Sequence, residues 1–129
     1  MTSRQTLGKD GADDGAYVDR DQVDSLIAAA GVAGAREIFE AFWRSTERLF
    51  AQLGTQIAAG DFAEAARSAH SLKGSAMNVG AIRFSLTARA IEDACRRSDA
   101  ATATAALPDA RNHYEKTAKA FEAALKSHL

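Results

Sequence analysis

The 129-residue sequence predicts an all-α protein, an antiparallel up-and-down four-helix bundle with a short additional N-terminal helix. Three observations predict it. Hydrophobic residues are 47% of the chain, mostly Ala, Leu, Ile and Val, with one proline and 7% aromatics, a balance that favours helix over sheet. Apolar residues recur three and four positions apart in four successive long stretches. Short Gly-, Asp- or Ser-containing breaks separate the stretches, and short connections make neighbouring helices antiparallel.

The length supports one domain with a core large enough to fold without staples. A net charge of −1 with mixed signs provides no basic field for nucleic acid or an anionic membrane. Cys95 is the single cysteine, which excludes an intramolecular disulfide and fits a reducing compartment. No apolar run approaches the roughly 20 residues of a membrane span, and the N-terminus has no signal-peptide core. A soluble, cytoplasmic, monomeric protein is expected.

Residues 1–16 carry almost no apolar side chains and are expected to form a flexible tail, leaving 17–129 for the bundle. Asp19 or Asp21 can cap a short first helix whose apolar edge is Val23, Leu26 and Ile27. The run Gly31-Val32-Ala33-Gly34 then breaks it. A Gly-x-x-Gly loop can clamp nucleic acid, but no strands are predicted around this one, so it reads as an interhelical turn.

A long helix follows over residues 35–59, with Ile38, Phe39, Phe42, Leu49, Phe50, Leu53 and Ile57 at helical spacing. Trp43 reads as packing on that apolar face, and Gly54 as a point of close helix contact. Gly60 ends the helix in a left-handed cap. Asp61 and Glu64 open the next helix as a capping-box variant, and Asn78-Val79-Gly80 turns the chain near its end. Residues 82–97 form a further helix expected to bury Leu86, Ala90, Ile91 and Cys95, the last as a structural rather than a redox thiol. Ser98-Asp99 closes it and caps the last stretch. There Pro108 predicts either a kink after a short helix over 99–106 or the start of the long helix itself. Tyr114, Ala118, Phe121 and Leu125 make the final apolar stripe.

The chemistry concentrates in Ala69-His70-Ser71-Leu72-Lys73-Gly74-Ser75-Ala76. A helix advances about 100° per residue. Leu72, Ala76, Ala65, Ala69 and Phe62 therefore share a stripe far from His70, which is left pointing to solvent. Arg67 and Lys73 flank the imidazole, Gly74 lies one turn ahead, and Ala63 and Met77 extend the same face. Gly74 costs about 1 kcal/mol against alanine in an exposed helix interior, which suggests that something must approach closely. Neutral imidazole is a nucleophile, and the two cations stand where a phosphoryl group on it would need compensation. A partner surface is expected over Ala63, Ala66, Arg67, His70, Lys73, Gly74 and Met77.

His70-x-Leu72-Lys73-Gly74-Ser75, followed by Gly80, resembles the active helix of histidine-containing phosphotransfer (HPt) domains. The resemblance runs from about Val18 to the C-terminus. It implies a four-helix bundle that takes a phosphoryl group from a receiver-domain aspartate onto His70 and passes it to another receiver. It also implies that Lys73 steadies the phosphoryl oxygens, Gly74 admits the partner's loops, and Glu92 on the next helix is a candidate to orient His70. The partners implied are response-regulator receiver domains and a hybrid sensor kinase. Mg²⁺ is expected on the receiver, so this chain is expected to need no cofactor.

Other chemistries fit less well. Sensor-kinase helices place an acidic residue directly after the histidine, whereas Ser71 follows here. Lys73 precedes Gly74, the wrong order for a phosphate-cradling loop, so autokinase activity from ATP is not expected. His113 and His128 lie far from His70 in sequence without metal-ligand spacing, and both read as surface residues, so no metal site is expected. Nothing specifies a hydrolase triad. The rival reading is a helical adaptor that binds a signalling partner without phosphotransfer.

Overall fold

The computed structural model describes residues 17–129, so the expected tail over 1–16 lies outside the described residues. Four helices make up the fold: α1 Arg20–Ala58, α2 Phe62–Asn78, α3 Ile82–Arg96 and α4 Ala100–Ser127. Each packs against its neighbour in sequence, and α1 closes the ring against α4. The connections at 59–61, 79–81 and 97–99 are too short for anything but antiparallel neighbours.

The extra N-terminal helix is the first limb of α1. Gly31 adopts φ 79° and ψ 165°, a conformation open to glycine at little cost, and the helix kinks there. The expected turn over 31–34 is thus a one-residue break, because the chain resumes helical geometry before Gly34. Asp19 caps this limb by accepting the Gln22 amide at 3.2 Å. Asp99 caps α4 in the same way from Thr102, at 3.1 Å. Asp61 sits at the N-cap of α2 without a side-chain cap bond, and Glu64 pairs with Arg67 instead, so the expected capping box is absent.

Gly80 has φ 80° and lies where the first limb meets the α2–α3 connection. A Cβ there would stand 3.3 Å from Val23 Cγ2, and the Gly80 carbonyl accepts the Asp19 amide at 2.8 Å. Gln22 reaches the same end of α2, donating to the carbonyls of Met77 (2.8 Å) and Asn78 (3.2 Å). The limb therefore satisfies the terminal carbonyls of the helix that bears His70.

The core is asymmetric. Aromatic bulk lies among α1, α3 and α4: Phe39 stacks on Phe121 at 4.0 Å, and Phe42 meets Phe84 and Phe121 edge-on. Trp43 is half-buried in a T-shaped contact with Tyr114, whose hydroxyl donates to the Trp43 carbonyl, so it packs as expected. The buried face of α2 is instead Ala65, Ala66, Ser68, Ala69, Leu72 and Ala76, which lets that helix lie close to α1 and α3.

Several expected core positions are displaced. Helix α3 buries Phe84, Ala88, Ile91 and Cys95, at spacings of four, three and four, which leaves Leu86 (55% exposed) and Ala90 outside. Leu86 is two residues, about 200°, from Phe84, so both cannot face the core. Ile38 is likewise exposed. A Cβ on Gly54 would meet nothing within 4 Å, so it marks no close helix contact. Pro108 neither starts nor divides a helix, since α4 runs through it. Thr104, whose carbonyl loses its partner there, is exposed to water, as is Pro108. No described helix is long and apolar enough to cross a membrane.

Candidate functional site

Helix α2 holds His70 on its outer face, where the side chain is 62% exposed. Glu92 of α3 faces it across the α2–α3 groove and is almost fully buried. His70 Nδ1 lies 3.1 Å from Glu92 Oε2. Lys73 Nζ approaches Oε1 to 2.9 Å, an ion pair whose direction is poor for a hydrogen bond. Arg96, one turn along α3, donates to Oε2 from Nη2 at 2.6 Å and from Nε at 3.2 Å.

Glu92 is thus a buried carboxylate ringed by donors. Burial opposes its charge, yet the contacts from Arg96, Lys73 and His70 outweigh that and hold its carboxyl down at about 2. An ionised carboxylate only accepts, so the His70 nitrogen facing it carries the hydrogen. In the neutral ring the other nitrogen, Nε2, then has a free lone pair on the exposed side of the helix.

The remaining site candidates divide. Gly74 is exposed and a Cβ there would meet nothing within 4 Å, so the surface beside His70 is clear. Ala63, Arg67 and Met77 are exposed, with Met77 at 59%. Ala66 is buried rather than exposed as expected, reaching the surface only as part of a cleft lining; α2 packs between α1 and α3, so its buried arc is wider than a single stripe. Lys73 is half-buried and engaged with Glu92, rather than standing free beside the imidazole.

Two shallow clefts flank His70 along the groove. The first, about 380 Å³, lies toward the start of α2 and is lined by Phe62, Ala63, Ala66, Arg67, Arg96 and others. The second, about 470 Å³, lies toward its end, with Lys73, Met77, Leu86, Arg89, Glu92 and Asp93. Two residues here were not read from the sequence as belonging to the site, Arg96 being unremarked and Leu86 being assigned to the core. Arg96 carried a usable signal, since it stands four residues after Glu92 on one helix. Leu86 carried none, because an isolated leucine reads as core until the helix phase is known.

Cys95 lines the first cleft but is almost fully buried, and burial pushes its thiol up, away from reactivity. His113 and His128, expected as plain surface residues, both have partners. Burial, with Arg83 nearby, lowers the pKa of His113, and its Nδ1 lies 2.7 Å from Thr87 Oγ1. His128 Nε2 lies 3.0 Å from Asp24 Oδ1, joining the C-terminus to α1. Among the described residues no group of three or more His, Cys, Asp or Glu side chains is placed to hold a metal.

A family model described as "Hpt domain" matches residues 37–127. No curated relative matches the sequence. Among solved structures, ZmHP2, a histidine-containing phosphotransfer protein from maize, superposes with a TM-score of 0.76 at 24% identity, covering 87% of this chain and 85% of its own. A rice protein described as a histidine-containing phosphotransfer protein gives 0.73 at 23%, covering 85% and 80%. At such identities the structural likeness speaks to the fold.

Proposed function

The chain belongs to the Hpt domain family, and on that premise we propose that it carries phosphoryl groups on His70 between receiver domains of a two-component phosphorelay. One observation carries the choice of residue. His70 is the histidine whose Nδ1 is held by a buried carboxylate while the rest of its ring stands in solvent.

The transfer balances without a proton moving. The Nε2 lone pair attacks the phosphorus of an aspartyl phosphate in line, the P–O bond breaks, and the aspartate leaves as carboxylate. The phosphorylated ring keeps its Nδ1 hydrogen and is positive, and the Glu92 carboxylate beside it stabilises that charge. A second receiver's aspartate then attacks phosphorus, the P–N bond breaks, and neutral imidazole leaves with its Nδ1 hydrogen. Such chemistry is mainly positioning and charge compensation. The Lys73 ammonium has three hydrogens, so it can keep Oε1 and also meet a phosphoryl oxygen. Gly74 leaves room for the partner.

Residues that hold Mg²⁺ belong to the receiver in this reading, and the chain acts as a monomeric carrier supplied by a hybrid sensor kinase rather than as an ATP-dependent kinase. The test is incubation with a phosphorylated receiver, then mapping of the acid-labile, base-stable phosphate. Label on His70, and none in His70→Gln, is expected. Label retained on His113 or His128 in that variant defeats the assignment, and no label with any receiver returns the protein to the adaptor reading.

A further inference from the structure

We propose that Arg96 is a positioning residue that sets how strongly Glu92 pulls on the His70 ring. The proposal rests on the carrier role of His70 and concerns the regulation of that same site. Its basis is that one oxygen, Glu92 Oε2, faces three N–H groups: His70 Nδ1 at 3.1 Å, Arg96 Nη2 at 2.6 Å and Arg96 Nε at 3.2 Å. The two shorter-range claims on that oxygen differ in kind. The guanidinium carries a permanent charge and a fixed fork, whereas the imidazole is charged only when protonated.

Arg96 therefore acts on His70 in two ways of the same sign. It occupies the acceptor that His70 uses, and it places a positive charge beside the ring's own developing charge. Both limit the stabilisation that Glu92 lends to the imidazolium. With Arg96 removed, Oε2 is left to His70, the positive ring is favoured, and less of the ring is a free nucleophile at neutral pH. The same shift acts on phosphohistidine, whose P–N bond breaks more readily from the positive ring, so the carrier releases its phosphate sooner.

The other charges at this point are accounted for. Lys73, from α2, is engaged with Oε1, the opposite oxygen of Glu92. Arg89 and Asp93, from α3, line the adjoining cleft, and Arg67 on α2 is paired with Glu64. Arg96 is the charged side chain that shares Oε2 with His70. Its side chain is 58% exposed, so replacing it leaves the core untouched.

The test is a proton NMR titration of the His70 ring in the full unphosphorylated chain, alongside Arg96→Gln, Arg96→Lys and Glu92→Gln. Arg96→Gln is expected to raise the His70 midpoint by about half a pH unit, the scale of a single exposed charge pair. Glu92→Gln is expected to move it the other way, and Arg96→Lys, which keeps the charge, to stay nearer wild type than Arg96→Gln. An unchanged or lowered midpoint in Arg96→Gln overturns the proposal, and so does an equal rise in Arg96→Lys. Because the titration needs no phosphate, its outcome is independent of whether His70 accepts a phosphoryl group.

Discussion

His70 and Glu92, on different helices and 22 residues apart, meet at 3.1 Å with the histidine in solvent and the carboxylate buried beneath it. The pairing holds one ring nitrogen and leaves the other open. It also places the most strongly perturbed carboxylate of the site directly under the histidine proposed to carry the phosphoryl group.

Glu92 makes stability depend on acid. Its carboxyl is held at about 2 against an ordinary 4.5, so the folded protein binds that proton more weakly than the unfolded chain. The stabilisation is present above about pH 4.5 and is lost as pH falls toward 2, a change of about 3 kcal/mol. Urea unfolding from pH 6 down to pH 2.5 is expected to show that loss in the wild type and a flatter curve in Glu92→Gln. Superimposable acid limbs would show that the network adds nothing to the fold.

Gly74 separates stability from transfer. Its Cβ would meet nothing, so Gly74→Ala is expected to stabilise the helix by up to about 1 kcal/mol. Gly74→Gln is expected to keep its melting temperature within a few degrees while phosphoryl transfer falls steeply, roughly a hundredfold if the partner is displaced by about 1 Å. Transfer at the wild-type rate would sink the clearance argument.

Met77 and Leu86 are large apolar side chains, 59% and 55% exposed, on the two helices that flank one cleft beside His70. The double replacement Met77→Ser and Leu86→Ser is expected to leave thermal stability near wild type and to weaken receiver binding by about tenfold or more. Isothermal titration with a receiver decides it. Undiminished affinity would place docking elsewhere on the bundle.

Gln22 reports on the link between the N-terminal limb and the active helix. Its amide serves the Met77 and Asn78 carbonyls, so Gln22→Ala is expected to cost about 0.5–1 kcal/mol. Amide exchange is expected to rise over residues 78–80, and unchanged protection there would mean that water replaces the cap without loss.

The four long helices, their order and the outward face of His70 were legible in the sequence, because each depends on local periodicity and on breakers such as Gly60 and Gly80. The break at Gly31, read as the end of a separate short helix, is a kink within α1. The phosphotransfer reading was legible too, since His70, Lys73 and Gly74 fall within five residues of one helix. What pairs across helices was not. Glu92 was nameable only as a candidate, and Arg96 went unremarked, because contact between α2 and α3 depends on how each helix is rotated in the bundle. The same rotation put Leu86 and Ile38 outside and Ala66 inside. A sequence stripe fixes a helix's apolar side to within a residue or so. A helix wedged between two neighbours buries a wider arc than its stripe, and only packing decides where that arc ends.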